Sequence, residues 1–350
     1  MAIDLSREQF AAIVAALPDG ALAIDAEGYV IAANGEAREI LADVAVGRHV
    51  TASFRSPSVL QAINEARKGQ SSRAQHVFRG DIERTIDIHM APIGQSGGRG
   101  AVVLLSLRDL TREQQVERMR ADFVANASHE LRTPLASLTG FIETLQGPAR
   151  NDEKARTEFL RTMKIQADRM ARLIDDLLSL SRIEISEHLP PNAATDLALV
   201  IRQTAELLAD TARKANCQIS VSAPERLPVT GDFGQLSQVL SNLVENAIKY
   251  AGRDNKVEIV GEMRGDAAWV VVRDHGPGIA ERHVPRLTER FYRVDVQDSR
   301  TRGGTGLGLA IAKHIVNRHR GKFLIESTLG KGSAFSFCVP VQKRSMITVY

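Results

Sequence analysis

The sequence predicts a multidomain α+β protein in three parts: a small α+β domain, a long helical hairpin and a mixed α/β domain. Its 350 residues suffice for two to three domains. Strand-like and helical segments alternate up to about residue 110, whereas Gly140 is the only glycine from Thr111 to Leu145. Beyond residue 270, glycines concentrate at three places, 276–278, 303–308 and 330–332. Each part therefore has its own local pattern.

Composition excludes several classes of protein. Hydrophobic residues are 43% and charged residues 25% of the chain, which excludes disordered and collagen-like proteins. The 45 basic and 42 acidic residues give a net charge of +3, so charge does not indicate a nucleic-acid partner, and only the pI of 8.9 favours one. Cys217 and Cys338 form no CxxC pair, which excludes a thiolate zinc site and a disulfide framework. Since no apolar run approaches about 18 residues and no signal peptide begins the chain, we expect a cytoplasmic protein without a membrane span.

The first 110 residues combine helical and strand patterns. A first helix is predicted from apolar positions at helical spacing, Phe10, Ile13, Val14 and Leu17. The Glu27-Gly28 turn joins two strand-like runs, and Asn34 is placed to cap a short helix that ends at Leu41. The other predicted elements are strands over Ala21–Asp25, Tyr29–Ala33, Ala74–Phe78, Thr85–Met90 and Ala101–Leu107, and a helix over Ser58–Lys68.

Residues 111–188 are predicted to form two long helices. A stripe of Val116, Met119 and Phe123 lies on the first helix, which Gly147-Pro148 ends. The second helix is predicted from about residue 152 to 185. Its apolar face consists of Phe159, Met163, Met170, Leu173, Ile174, Leu177 and Leu180. Because a two-helix hairpin has too narrow a core to be stable alone, we expect a homodimer in which two hairpins form a four-helix bundle.

The first motif with chemical potential lies in the first hairpin helix, at Ser128–Leu135. A neutral imidazole accepts a phosphoryl group if one nitrogen is unprotonated and exposed, while an adjacent carboxylate holds the other N–H. His129 and Glu130 offer this pair, and Thr133 lies one turn beyond His129. Pro134 removes a helical hydrogen bond and permits a bend. A zinc-protease HExxH motif is excluded, because Thr133 stands where that motif needs histidine. The remaining alternative is that His129 is an ordinary surface histidine.

Two further motifs offer groups for a nucleotide. Asn242 and Asn246 lie one turn apart on a predicted amphipathic helix, and amide oxygens suit magnesium that is shared with phosphates. Asp274 follows a strand-like run and precedes Gly276 and Gly278, where glycine lets a backbone approach a ligand closely. A buried carboxylate there accepts a hydrogen bond from an exocyclic amine such as that of adenine. Taken singly, two asparagines on a helix are more often just a solvated face, and many ordinary strand exits resemble the Asp274 motif.

Glycines also precede a predicted helix at Gly303–Ala310, and such a loop makes a cradle for phosphate. The segment contains neither the GxxxxGK[ST] loop nor the dinucleotide fingerprint. Gly330–Ser333 lies between strand-like runs and predicts a hairpin turn.

In order and spacing, these motifs resemble the sensor histidine kinases of two-component systems. FVANASHELRTPL is similar to their phosphoacceptor box, NLVENAIKY to the N box and ERFYRVD to the F box, while DHGPGI, GGTGLGLAI and GKGS are similar to the three glycine boxes. The resemblance covers about residues 112–342. It implies a dimerisation and phosphotransfer hairpin over 111–188 and an α/β-sandwich ATP-binding domain over 189–345.

The resemblance implies roles for individual residues. His129 would be phosphorylated, Glu130 would be its acid/base partner, and Thr133 would serve dephosphorylation of the partner protein. Asn246 would bind magnesium and Asp274 the adenine amino group. The implied ATP-binding residues are Asn242, Asn246, Lys249, Tyr250, Asp274, Gly276, Gly278, Arg300, Arg302, Gly304, Thr305, Gly306, Leu307 and Gly308.

Residues 1–110 resemble a PAS sensor domain, through Leu17–Gly20, the strand pair around Glu27-Gly28, Asn34 and the exit at Asp109–Thr111. A PAS domain directly before the kinase core is similar to the phosphate-regulon sensor class. Because no cysteine precedes Cys217, a flavin–cysteine photosensor is excluded, and we expect no chromophore in this domain.

The leading hypothesis is an ATP-dependent protein-histidine kinase that autophosphorylates on His129 and transfers the phosphoryl group to an aspartate of a response regulator, which it also dephosphorylates. The second hypothesis is a regulator that acts mainly as a phosphatase or scaffold, and the third is an ATP-hydrolysing clamp. The related gyrase- and chaperone-type ATPases carry a water-activating Glu where Asn242 stands, which disfavours hydrolysis. The expected ligands are ATP and magnesium, and the expected partners are a second copy and a response regulator, without direct nucleic-acid binding.

Overall fold

The computed structural model describes residues 6–41, 43–78, 83–95, 101–251, 255–295 and 304–341. The chain divides into two compact units, residues 1–124 and 125–350. Each unit combines helices with a five-stranded sheet, which confirms the predicted multidomain α+β class. Within the described ranges, no helix has the length and apolar character needed to cross a membrane.

The first unit is built on an antiparallel sheet. Its strands are β1 (Gly20–Ile24), β2 (Val30–Ala33), β3 (Ser72–Phe78), β4 (Arg84–Gln95) and β5 (Ala101–Asp109), and its helices are α1 (Arg7–Ala15), α2 (Gly35–Ile40) and α3 (Pro57–Arg67). The strand order is β2-β1-β5-β4-β3. Every predicted element of this unit is present, although β4 continues five residues beyond the predicted Met90.

Helix α1 buries a narrower face than its sequence predicts. Phe10 and Val14 are fully buried, and Leu17 packs against the same cluster beyond the end of the helix. Ile13 was predicted to share this face, but 42% of it is exposed. A helix that lies against a sheet along a single row buries positions four apart and leaves the adjacent position in solvent.

Asn34 caps α2, as predicted, and also holds the start of β1. Its Oδ1 accepts hydrogen bonds from the backbone N–H groups of Ala37 and Ala21, both at 2.9 Å. Its Nδ2 donates to the carbonyl oxygens of Leu17 (3.2 Å) and Asp19 (2.8 Å). The buried amide thus satisfies its oxygen and both N–H groups, and only the cap was visible from the sequence.

The hairpin consists of α4 (Thr111–Gln146) and α5 (Glu153–Ile185). Both helices were predicted, and α4 is continuous through Pro134. Asp152 caps α5 by accepting a hydrogen bond from the N–H of Ala155 (2.9 Å). Of the predicted apolar face of α5, Leu173 and Leu180 are buried within one chain. Large apolar side chains that stay exposed on the hairpin part of the second unit are Leu135, Ile142, Leu160, Ile165, Ile174, Leu178 and Ile185.

The rest of the second unit is an α/β sandwich, as predicted. Its strands are β6 (Ala194–Asp196), β7 (Cys217–Ser222), β8 (Pro228–Thr230), β9 (Asn255–Arg264), β10 (Ala267–Asp274), β11 (Phe323–Thr328) and β12 (Gly332–Pro340), and its helices are α6 (Leu197–Lys214), α7 (Phe233–Tyr250) and α8 (Gly308–Arg318). The main sheet has the order β11-β12-β10-β9-β7, in which only the β7–β9 pair is parallel. Helix α7 packs against α6, α8 and β10. The predicted turn at Gly330–Ser333 joins β11 to β12.

The first turn of α7 depends on a buried histidine at the end of α8. His319 is 4% exposed, and its Nδ1–H donates to the carbonyl oxygen of Ile315 (2.7 Å). Its Nε2 accepts a hydrogen bond from the backbone N–H of Asp232 (3.0 Å), and the Asp232 side chain caps α7. Burial lowers the pKa of His319, in accord with a neutral ring that needs an unprotonated Nε2.

Candidate functional site

A cavity of about 460 Å³ lies in the second unit between α7, the end of β10, the start of α8 and helix α5. Most of the residues that the sequence predicts for nucleotide binding line it. These are Asn242, Asn246, Lys249, Tyr250, Asp274, Gly278, Gly304, Thr305, Gly306 and Gly308. Their positions along the chain range from 242 to 308, so the fold brings three separate motifs to one place.

Four predicted residues stand apart from this set. Gly276 and Leu307 are described but do not line the cavity, and the side chain of Leu307 is fully buried in the core. A ligand would meet Leu307 only through its backbone. Arg300 and Arg302 lie outside the described residues.

Helix α7 presents one polar face to the cavity because its other face is buried. The predicted apolar positions Leu236, Val239, Leu240, Leu243 and Ile248 are all buried. On the polar face, Asn242 Nδ2 donates to the carbonyl oxygen of Gly308 at 3.0 Å, which ties α7 to the start of α8.

The polar face of α7 also contains an ion pair. Lys249 Nζ donates to Glu245 Oε2 at 3.1 Å. Glu245 also lines the cavity, one turn from Lys249 on the same face of α7.

Asp274 closes the deepest part of the site at the end of β10. It is 5% exposed, and its Oδ1 accepts a hydrogen bond from the N–H of Gly276 at 2.9 Å. Burial raises the pKa of Asp274, while the hydrogen bonds from the backbone of Gly276 and Ser333 act in the opposite direction. A buried carboxylate with capacity for a further hydrogen bond suits an exocyclic amine.

The site glycines make room for the protein's own backbone. A Cβ on Gly278, whose φ is +70°, would lie 2.1 Å from the carbonyl oxygen of Thr328. A Cβ on Gly306 (φ +78°) would lie 2.9 Å from the Cα of Phe291, and the N–H of Phe291 donates to the carbonyl oxygen of Gly306 at 2.8 Å. Glycines 276 and 278 were predicted to allow close approach of a ligand. At Gly278 the close neighbour is another segment of the fold.

Helix α5 contributes a carboxylate to the cavity that sequence reasoning missed. Asp176 lines the cavity, and its Oδ2 accepts a hydrogen bond from Thr305 Oγ1 at 2.7 Å. The spacing of Asp176 could have indicated this position. It lies three residues after Leu173 and four before Leu180, on the same face of α5, and both leucines are buried. An acidic residue on the buried face of a helix requires a polar partner.

Arg293 connects the cavity to the phosphoacceptor motif. Its Nη2 donates to the carbonyl oxygen of Gly304 at 2.9 Å and to Glu130 Oε2 at 3.1 Å. Arg169 of α5 donates to the same Glu130 oxygen at 3.0 Å. The side chains of Arg293, Glu130 and Arg169 are only 5%, 13% and 14% exposed. Arg293 belongs to the ERFYRVD motif, but the sequence predicted no role for it.

His129 itself is exposed on α4, next to Glu130. Thr133, also exposed, donates its hydroxyl to the carbonyl oxygen of His129 at 3.2 Å. The predicted phosphoacceptor motif therefore presents an accessible imidazole and hydroxyl. The neighbouring carboxylate of Glu130 is held by two arginines, one from the hairpin and one from the cavity wall.

Comparison with known families accounts for this arrangement. Three family models match: a PAS fold over residues 14–115, a His Kinase A (phospho-acceptor) domain over 119–185, and a histidine kinase-, DNA gyrase B- and HSP90-like ATPase over 231–343. The sensor-like histidine kinase SenX3 of Mycolicibacterium smegmatis is 35% identical over 284 residues, which are 76% of this chain and 73% of SenX3. The chain belongs to the sensor histidine kinases. The resemblance stated from the motifs, including that of the first 110 residues to PAS domains, is thereby confirmed.

Two other sensor kinases extend the comparison. The phosphate regulon sensor protein PhoR of Pseudomonas aeruginosa is 42% identical over 236 residues, which are 67% of this chain and 53% of PhoR. The sensor histidine kinase WalK of Bacillus subtilis is 28% identical over 347 residues, which are 96% of this chain and 56% of WalK. This chain thus spans little more than half the length of PhoR and of WalK.

A solved structure supports the fold. Histidine kinase ThkA, in complex with response regulator protein TrrA, matches with a TM-score of 0.51 and 21% identity, over 95% of this chain and 98% of ThkA. The phosphoacceptor model covers α4 from residue 119 and all of α5, and the ATPase model covers α7, β10 and α8 at the cavity.

Proposed function

We propose that this sensor histidine kinase uses ATP to phosphorylate itself on His129 and then transfers the phosphoryl group to an aspartate of a response regulator. The contact of Arg293 with both Gly304 and Glu130 carries the proposal, because it connects the nucleotide cavity to the residue beside His129. In this proposal, a sensor domain ends near residue 110, and a phosphotransfer hairpin extends from there to about residue 188, where the ATP-binding domain begins.

The cavity residues divide into groups for the base and groups for the phosphates. Asp274 would accept a hydrogen bond from the adenine amino group, with Tyr250 beside the base. Lys249 and the backbone of Gly304–Gly308 would hold the triphosphate, where loop N–H groups and the start of α8 favour negative charge. Arg300 and Arg302 remain proposed phosphate contacts.

The donor set around Asn246 fits magnesium. Asn246, Asn242 and Glu245 line the same part of the cavity with oxygen atoms, which is the ligand chemistry that this ion prefers. No cluster of three His, Cys, Asp or Glu lies ready for a metal among the residues that the structure describes. Asn246 would therefore hold the ion together with phosphate oxygens, and the ion would neutralise phosphate charge during transfer.

In the reaction, a ring nitrogen of His129 attacks the γ-phosphorus, a nitrogen–phosphorus bond forms, and the bond to the oxygen of the leaving ADP breaks. The other ring nitrogen loses its proton to Glu130. Arg169 and Arg293 both donate to Glu130, so the two arginines fix the position of the carboxylate next to His129.

Transfer to His129 is favoured over hydrolysis by the environment of Asn242. Its amide donates to the backbone of Gly308 and is a poor base, so this position holds no water-activating carboxylate. Glu245 is engaged by Lys249. The ATP-hydrolysing clamp is therefore the weaker candidate.

The partners follow from the hairpin and from the chemistry. The exposed apolar side chains of α4 and α5 would be buried in a four-helix bundle with a second copy, and we propose a homodimer. The exposed turn of His129 would receive the response regulator, a class of partner that the solved complex of ThkA with TrrA contains. ATP and a receiver aspartate are both cytosolic, so we place the kinase region in the cytosol.

A phosphatase activity toward the same regulator is a second proposed function. Thr133 is exposed one turn from His129, where its hydroxyl could orient water against an aspartyl phosphate. Its hydrogen bond to the carbonyl oxygen of His129 supports the competing structural role, which is common for Thr in helices.

The experiment is autophosphorylation with magnesium and ATP labelled in the γ-phosphate. We expect an acid-labile, base-stable label that the His129→Gln variant lacks while it still binds ATP. His188→Gln, which changes an exposed histidine just beyond α5, is the matched control and should label normally. Persistent labelling of His129→Gln would reject the assignment.

A further inference from the structure

Asp176 is a carboxyl group at the end of the cavity where the proposed phosphate groups lie. It reaches the cavity from α5, and its Oδ2 accepts the hydrogen bond from Thr305 in the glycine loop. Burial raises the pKa of Asp176, and the hydrogen bond from Thr305 opposes this shift. Glu245 and Asp175 also raise that pKa, whereas Lys249, the proposed phosphate contact on α7, lowers it. Two elements of the phosphate end thus lie close to one carboxylate.

The hydroxyl of Thr305 has only one proton to donate. It donates to Asp176 and accepts a hydrogen bond from the N–H of Leu307 at 3.3 Å. A phosphate oxygen that takes the proton of Thr305 must therefore displace Asp176 from it. After displacement, the carboxylate and the phosphate repel each other across a partly desolvated space.

Several other contacts hold α5 at the cavity. Asp176 would therefore stay at the cavity even without its hydrogen bond to Thr305. Ser179 and Gln238 of α7 exchange hydrogen bonds at 3.0 and 3.2 Å. Arg290 pairs with Glu184 near the end of α5. Arg318 Nε donates to the carbonyl oxygen of Ser186 at 3.1 Å.

We propose that Asp176 is a specificity-determining residue of the nucleotide cavity, which lowers the affinity for a nucleotide more strongly the more phosphates the nucleotide carries. This inference rests on the proposed nucleotide binding and deepens it. Asp176 thereby reduces the preference for ATP over ADP for as long as α5 lies against the cavity. The helix that faces the phosphoacceptor helix would then set how tightly the phosphoryl donor is held.

The test is calorimetric titration of the full chain and of Asp176→Asn with adenosine, ADP and ATP, each with and without magnesium. Asparagine keeps an acceptor for Thr305 and removes only the charge. We expect the variant to bind ATP about tenfold more tightly, since a charge at 4–6 Å typically changes an ionisation constant by one unit or more. ADP should gain about threefold and adenosine nothing, with larger effects when magnesium is omitted.

Two further variants keep the result decisive. Asp168→Asn makes the same change two turns earlier on α5, where Asp168 pairs with Lys164, and should leave all three affinities unchanged. Asp176→Ala should follow Asp176→Asn, and adenosine binding reports that both variants are folded.

Equal effects on the three ligands, no effect, or weaker ATP binding in Asp176→Asn would each overturn the proposal, and the last result would make Asp176 a magnesium ligand. If the unaltered chain binds none of the three ligands, the proposed kinase function fails as well. Binding that is intact and identical in the variant rejects the role of Asp176 alone.

Discussion

The two ends of the cavity, where we propose that the base and the phosphates of ATP bind, are built in different ways. At the base end, Asp274 and Gly278 belong to one stretch of chain and are fixed by backbone contacts within the sandwich. At the phosphate end, the contacts join distant segments. Arg293 donates to Glu130 of α4, and Thr305 of the glycine loop donates to Asp176 of α5. The base end is thus a rigid pocket within the sandwich, whereas the phosphate end depends on polar contacts with the hairpin that a phosphate or a proton can replace.

The largest effect is expected at the base end. Asp274→Asn should weaken ATP binding by about 1.5–3 kcal/mol, the typical value for a hydrogen bond to a charged group. The same variant should be more stable near neutral pH. Since burial raises the pKa of Asp274, its contribution to stability is complete below the unfolded-state pKa and is lost as the pH rises through the folded-state pKa.

Calorimetric affinity and melting temperature between pH 4 and pH 8 check this prediction. The stability advantage of Asp274→Asn should grow with pH and then level off. Asp266→Asn changes an exposed carboxylate near the other end of β10 and should alter neither quantity. An unchanged ATP affinity in Asp274→Asn would remove the distinction between the two ends.

At the phosphate end, Arg293→Lys should slow autophosphorylation about tenfold while ATP affinity changes less. Lysine keeps the charge but lacks the planar fork that bonds Gly304 and Glu130 together. Single-turnover labelling at saturating ATP measures the rate, with Arg213→Lys on the exposed face of α6 as control. Equal losses in rate and affinity would show that Arg293 only binds nucleotide.

The smallest effect on labelling is expected outside the cavity. Thr133→Ala should change labelling of His129 by less than about twofold but slow dephosphorylation of the isolated phospho-regulator about tenfold. Thr139→Ala is a matched control, because Thr139 also donates to the carbonyl oxygen four residues earlier (3.1 Å) and is exposed. Dephosphorylation at the normal rate in Thr133→Ala would make this threonine structural.

The same contrast explains what the sequence could predict. The apolar face of α7 and the position of Asp274 follow from local patterns, namely the apolar spacing from Leu236 to Ile248 and an aspartate after a strand. The predicted apolar positions are buried, and Asp274 lines the cavity. The long helices and the capping role of Asn34 were equally local.

Contacts between distant segments were not predictable in this way. The bonds Asp176–Thr305 and Glu130–Arg293 join residues 129 and 163 positions apart, and nothing in either local pattern indicates the other. The exposed Ile13 differs from prediction for a related reason. Periodicity gives the face of a helix, but the neighbouring elements decide how wide a face is covered.

The hydrogen bond between Asp232 and His319 would couple protonation of His319 to the proposed nucleotide-binding helix α7. When Nε2 of His319 is protonated, it can no longer accept the hydrogen bond from the N–H of Asp232. Protonation therefore favours conformations in which this contact to the start of α7 is broken. Because the pKa of His319 is lowered, this hold on α7 is complete above the unfolded-state pKa and is lost as the pH falls through the folded-state pKa. By reciprocal linkage, a nucleotide held by Asn246 and Lys249 on α7 would oppose protonation about four turns away, without either ligand touching the other.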